Sequence, residues 1–262
     1  MKYFEQEKLY GEVLYIEDVP KTAMENNIIN EPEEIIQMKQ KEKPGNINVD
    51  KPMKVEILEV VTNNEPQKPV WHNATDMIVL NDLIKDCLNC RLGSTRKNFV
   101  FGSGNPNADI MFIGEAPGAD EDAQGLPFVG RAGQLLTKIL EAINLKREEV
   151  YICNINKCRP PDNRKPFQDE VDACLPYLLK QIELVKPVYI VALGATAVDG
   201  LFKYKGKMGD IRGKIMEFHG VKTLVTYHPS ALLHNPNLKR DVWEDVKVLR
   251  KLYDEYLESF VS

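Results

Sequence analysis

From residue 76 onward, two rhythms of apolar and polar positions alternate along the chain. Short continuous apolar runs occupy residues 109–114 (DIMFIG), 150–154 (VYICN) and 188–193 (VYIVAL). An unbroken run of that length suits a strand buried on both faces, as in a parallel sheet. Between these runs the apolar residues recur every three to four positions. Met77, Leu80, Leu83 and Ile84 mark a helix over 76–87, and Leu135, Leu136, Ile139 and Leu140 mark one over 133–143. A long amphipathic helix is predicted over 168–185, another from Gly194 through Phe202, and a closing one over 241–257. Residues 214–218 and 222–226 read as further strands around a turn at His219 and Gly220. This alternation predicts an α/β fold, a three-layer α/β/α sandwich around a mainly parallel sheet. Ligands of such sheets bind beyond the carboxyl ends of the strands. The loops after Ile113, Ile152 and Val225 fall there, and they hold the most unusual residues of the chain.

Residues 1–75 have a different texture: polar, acidic, with scattered prolines and repeated asparagine. Residues 12–16 and 55–61 alternate as strands do, and 31–43 reads as a short helix or a solvated charged stretch. No chemical motif occurs there. The expected organisation is an acidic, weakly ordered or appended extension over 1–75 and one domain over 76–262.

The 262 residues are 43% hydrophobic, enough for a sizeable core. The formal net charge is -5, whereas nucleic-acid-binding proteins are ordinarily basic. The excess lies in residues 1–75, with 14 acidic and 9 basic residues; 76–262 holds 25 of each and is free to present a basic face. No stretch approaches the ~18 uninterrupted apolar residues of a membrane helix. The opening MKYFEQEKLYGE lacks the apolar segment of a signal peptide, so a cytoplasmic protein with no membrane partner is expected. Five cysteines, an odd number in a chain of ordinary size, point to reduced or metal-bound thiols rather than a disulfide framework.

Cys87 and Cys90 form a C-x-x-C, and Cys158 and Cys174 form a wider pair. Four thiolates from separated segments can hold an iron–sulfur cluster or a tetrahedral zinc, and spacing alone does not choose. Cys153, inside a strand pattern, reads as an ordinary buried cysteine. Gly114-Glu115-Ala116-Pro117-Gly118 follows the first strand and is neither a phosphate-binding nor a dinucleotide loop. Its glycines imply a tight turn and close backbone approach. Asp120, Glu121 and Asp122 follow, most simply as a helix start. Phe128, between proline and glycine-rich turns, reads as a core anchor or a surface for stacking a flat ligand. Asn154 ends the second strand, where its amide can cap a turn or read a base edge. His228 ends the last strand, structural or poised to hold a developing anion. Leu232 follows closely, an apolar group suited to enter a base stack.

Taken together, these motifs resemble the family 4, iron–sulfur uracil-DNA glycosylases. The residues that carry the likeness are Cys87–Cys90, GEAPG from Gly114, Glu121-Asp122, GLPFVGRAG from Gly125 and NINKCRPPDNRKP from Asn154. Cys174, LGATA from Leu193, RGK from Arg212 and HPSALL from His228 complete the set, in the family's order and spacing. The resemblance implies a [4Fe–4S] cluster on Cys87, Cys90, Cys158 and Cys174. It implies a uracil pocket of Glu115, Ala116 and Pro117, with Phe128 stacking on the base, Asn154 reading its edge and His228 facing O2. Leu232 would fill the space left by the flipped nucleotide. Where some relatives carry a carboxylate this chain has Ala116, so Glu121 and Glu115 are the remaining acidic candidates for activating water. Arg91, Arg96, Arg159, Arg164 and Lys165 would contact phosphate. Many relatives have Arg where this chain has His234, which weakens one such contact. The implied partner is uracil-containing DNA, single- or double-stranded, acted on by a monomer with no lyase step. Residues 1–75 would offer an arm to a replication or repair protein. The competing reading is a glycosylase-like accessory module that binds DNA without cutting.

Overall fold

The structure, a computed structural model, describes residues 69–260. The strands expected over 12–16 and 55–61 and the helix over 31–43 lie outside the described residues. Chain order is α1 (Met77–Ile84), β1 (Ser103–Gly104), β2 (Ile110–Gly114), α2 (Ala119–Gln124), α3 (Arg131–Ala142) and β3 (Tyr151–Asn154). It continues with α4 (Gln168–Val185), β4 (Tyr189–Leu193), α5 (Ala195–Phe202), α6 (Met208–Ile211), β5 (Ile215–Phe218), β6 (Val221–Thr226), α7 (Pro229–His234) and α8 (Leu238–Glu258).

The six strands form one sheet in the order β1-β3-β2-β4-β6-β5. The four central strands are mutually parallel, and the two edges are antiparallel. Phe112 pairs with Ile152 on one side and Val191 on the other. Alternate residues of each strand enter opposite cores. Met111, Ile113, Cys153, Ile190 and Ala192 pack with α4 and α5 residues such as Leu178 and Val198. Ile110, Phe112, Ile152, Val191 and Leu193 pack with Leu136, Leu140, Val246 and Leu249 of α3 and α8. Strands β2, β3 and β4 are buried on both faces, which is why their sequences read as unbroken apolar runs. The three-layer sandwich expected from the pattern is the observed fold.

A smaller third core joins α1 to α4 through Leu80, Ile84, Cys174 and Tyr177. Asp76 caps α1, its carboxylate accepting from the Ile78 and Val79 amides at 2.9 Å. Among the described residues, no helix is long and apolar enough to cross a membrane.

Candidate active site

A cavity of about 360 Å³ opens where the carboxyl ends of β2, β3 and β6 meet, as expected for a parallel sheet. Glu115, Ala116, Pro117, Phe128, Asn154 and His228 line it together. These six come from four segments of the chain: the loop after β2, the loop between α2 and α3, the end of β3 and the loop after β6. Gly118, Glu121, Ala132, Pro160, Asn163, Arg164, Ser230 and His234 also reach the wall.

The end of β2 sets the floor. A Cβ on Gly114 would lie 2.4 Å from Asn154 Oδ1 and 2.5 Å from Phe128 Cζ. Only glycine lets both groups stand over the same strand end. Phe128 holds a left-handed φ of 52°, unusual for a bulky residue, and its ring is buried. Asn154 is 2% exposed, and its Oδ1 has no hydrogen-bond partner. An orphaned buried acceptor is costly, and a ligand N–H in the cavity would satisfy it. Gly114→Ala is therefore expected to lower kcat/KM on whatever substrate the cavity takes about a hundredfold, because it drives Asn154 and Phe128 apart. Initial rates beside a melting curve check this; an unchanged rate would show that the two side chains need no such closeness.

His228 caps α7 with its own ring. Nδ1 accepts the Ser230 amide at 3.1 Å and lies 2.7 Å from Ser230 Oγ. A neutral ring with Nδ1 accepting carries its proton on Nε2, the nitrogen left for the cavity. Burial lowers the His228 pKa to about 4, so the neutral form prevails near neutrality. The Phe128 and His228 ring centroids are 5.5 Å apart. Gly194, at φ 85°, brings the end of β4 against His228, where a Cβ would sit 2.7 Å from the histidine Cβ. Ser230, not singled out in the sequence, thus sets the tautomer; its place two residues after His228 was the available signal.

Three expectations need correction. Glu121 lines the cavity but is not free to activate water. Its Oε1 accepts from Val129 N (2.9 Å) and Gly130 N (2.8 Å), and its Oε2 from Gly118 N (3.1 Å). It is the clasp that fastens the Phe128 loop to α2, with three of its roughly four lone pairs committed to backbone amides. Of the two acidic candidates, Glu115 remains. Leu232 cannot enter a base stack as placed: it is 2% exposed and packs in the core beneath α7, while Leu233 is 43% exposed. One residue along a helix turns a side chain by about 100°, so the adjacent leucines face core and solvent. Leu232→Ala should cost about 2–4 kcal/mol of stability, whereas Leu233→Ala should change it by under about 0.5 kcal/mol; denaturant melts decide.

Nor are the five expected phosphate contacts unengaged. Arg91 pairs with Asp169, Arg164 with Glu170 at 2.7 Å, Lys165 with Asp199 at 3.6 Å, and Arg159 donates to Asn163 at 2.8 Å. Arg96 turns inward, donating to Cys87 O (2.6 Å), Lys85 O (2.8 Å) and Cys158 Sγ (3.4 Å). It serves the cysteines rather than a phosphate.

Cys87 follows α1, Cys90 opens the turn at Arg91–Ser94, Cys158 lies after β3, and Cys174 is on α4. Cys87 Sγ accepts from Asn89 N (3.4 Å) and Tyr177 Oη (3.3 Å), and Cys174 Sγ from Lys157 N (3.3 Å). Burial pushes the Cys158 thiol up to about 11, with Cys90 and Cys87 adding to it against Arg96. Burial likewise pushes Cys174 up to about 12, with Cys158 and Cys90 contributing. The four thiols therefore lie in one electrostatic neighbourhood, in which Cys158 and Cys174 are unfavourable to ionise unless a cation is supplied. Among the described residues, no three His, Cys, Asp or Glu side chains converge as a single metal ion would need. Cys153 stands apart in the main core, as expected.

Fold and cavity define an α/β protein with a cleft at the carboxyl ends of its parallel strands, walled by an aromatic ring and a buried amide. The family model "Uracil DNA glycosylase superfamily" matches residues 101–247. The type-4 uracil-DNA glycosylase of Thermotoga maritima is 47% identical over 65% of this chain and 91% of its own length. Those of Saccharolobus solfataricus and Pyrobaculum aerophilum are 46% and 45% identical, over 84% and 91% of theirs and 66% and 65% of this chain. The chain belongs to the uracil-DNA glycosylase superfamily, in its type-4 branch.

Proposed function

We propose that this protein flips deoxyuridine out of DNA and hydrolyses its N-glycosidic bond, releasing uracil and leaving an abasic site. The observation that carries the reading is the buried, unpartnered Asn154 Oδ1 beside the Phe128 ring and the neutral His228 in one cavity. Uracil offers N3–H to that oxygen, and Asn154 Nδ2 can donate to O4. Cytosine reverses donor and acceptor at both N3 and position 4 and loses both bonds. Phe128 stacks on the base. His228 Nε2–H meets O2, where negative charge gathers as the bond breaks. Glu115 is the acidic group left to orient water, and no cavity-lining lysine is available for a Schiff base.

Leu233, exposed on α7 beside His234, takes the wedge role that Leu232 cannot. Its removal should slow excision from duplex about tenfold more than from single strands, since only the duplex must be held open.

Cys87, Cys90, Cys158 and Cys174 would hold a [4Fe–4S] cluster. The donor set supports it: four thiols in one neighbourhood and hydrogen bonds to three of the sulfurs, the one at Cys158 coming from the inward Arg96 guanidinium. Such a group supplies a structural cross-link here, between the segment following α1 and α4.

The test is strand cleavage of a labelled oligonucleotide after alkali. Cutting at uracil and not at thymine supports the reading. Protein that binds the uracil strand yet never yields an alkali-labile site replaces it with the accessory-module reading.

A further inference from the structure

One aromatic ring beside the cavity serves neither the core nor the chemistry so far. Phe167, at the entry to α4, is 50% exposed. The Arg164 guanidinium lies over its ring, 3.9 Å from the centroid, and that of Arg91 stands 5.4 Å away. Arg164 is also a wall residue of the cavity, with Pro160 and Asn163. The ring is therefore one side chain away from the cavity, at its rim.

This group is held in place from beneath. Glu170, whose side chain is fully buried, accepts from both terminal nitrogens of Arg164, at 2.8 and 2.7 Å, and from the Phe167 amide at 2.8 Å. Arg91 is drawn in by Asp169 and, at 3.6 Å, by Glu170. The buried Pro166 restricts the backbone just before the ring.

A lone exposed apolar residue needs no explanation. This one is different, because two long arginine side chains give up rotamer freedom around a ring that adds little to the core. Both guanidiniums are already engaged by carboxylates, so phosphate is not what they are free to take. Their planes and the ring stay stackable. A flat ring backed by a flat cation fits another flat ring, and unstacked nucleobases settle on Phe and Arg planes in this way with little regard to sequence. Drawing a nucleotide into the cavity takes a stacking partner from its neighbour in the strand, and a ring at the rim can replace that partner.

We propose that Phe167, backed by Arg164, is a stacking platform for a nucleobase adjacent to the one that enters the cavity. The proposal rests on the uracil-DNA reading and adds to it a second base-binding subsite outside the cavity.

The test measures binding, by fluorescence anisotropy, with the full chain as purified. The probe is a single strand carrying one 2′-fluorinated deoxyuridine, whose glycosidic bond resists cleavage. In a companion set, each flanking nucleotide in turn is replaced by a tetrahydrofuran residue that lacks a base. Phe167→Ala should bind the complete strand about tenfold more weakly than the wild type, and Phe167→Trp should restore binding. At one flanking position, removal of the base should weaken the wild type about tenfold and Phe167→Ala by less than about twofold, since the variant has no platform left to lose. A merely structural role for Phe167 would weaken every probe alike. The platform is overturned if the wild type is indifferent to every flanking base, if Phe167→Ala pays the same penalty as the wild type at the sensitive position, or if it binds the complete strand as tightly. A wild type that shows the expected pattern yet leaves uracil in an ordinary strand overturns the excision reading alone.

Discussion

Replacing His228 with alanine is expected to slow uracil release about a hundred- to a thousandfold, with KM little changed. The reason is differential: a neutral Nε2–H meets a carbonyl oxygen weakly in the bound substrate and strongly once that oxygen carries the charge of the departing base. Burial keeps the ring neutral down to about pH 4. Between pH 5.5 and 8 its protonation state therefore stays constant, and no inflection near 6.5 should appear in the rate profile. The same shift sets a stability trend. The unfolded chain takes up a proton on this residue near pH 6.5, whereas the folded protein does so only near 4. The folded state keeps its full advantage above about 6.5 and loses it as pH falls toward 4, by at most about 3 kcal/mol. His228→Gln should flatten that part of the melting-temperature curve. An inflection in rate near pH 6.5 that disappears in His228→Gln would show instead that an imidazolium does the work.

Cys174→Ser should lose the brown absorbance near 400 nm and lower the melting temperature by on the order of 10 °C or more. Cys174 is buried on α4 against Leu80, Ile84 and Tyr177, so the loss strikes both the proposed cluster and the small core joining α1 to α4. Cys153→Ala is the matched control. That cysteine is equally buried but lies in the main core, and its removal should leave the iron in place. Should the Cys174 variant keep its full iron while the Cys153 variant loses it, the ligand assignment is wrong. Glu170 links the same region by a second route, joined to Arg164 at 2.7 Å and to Arg91 at 3.6 Å. An iron-free protein should therefore keep part of this corner folded, and protease resistance of the segment after α1 would report it.

Much of this architecture was legible in the chain because its cause is local. A strand buried on both faces must be apolar throughout, so residues 109–114, 150–154 and 188–193 announced a parallel sheet. The helix over Gln168–Val185 occupies the predicted residues. Asn154 and His228 stood at strand ends, where a parallel sheet opens its binding cleft, and the structure brings both to the cavity. The short edge strand Ser103–Gly104 was not legible, since two residues carry no period.

What the sequence by itself determined was the layer order, the strands and the loops that face a ligand, because side-chain periodicity and glycine placement are properties of neighbouring residues. Only the tertiary structure decided which charged and apolar groups are available for chemistry. Arg91 meets Asp169 across 78 positions, Lys157 meets Gln181 across 24, and Glu121 is occupied by amides eight and nine residues away. Leu232 and Leu233 are identical in composition, and burial alone separates them. Pairing and burial are relations between distant segments, so they exist only after the chain has closed on itself.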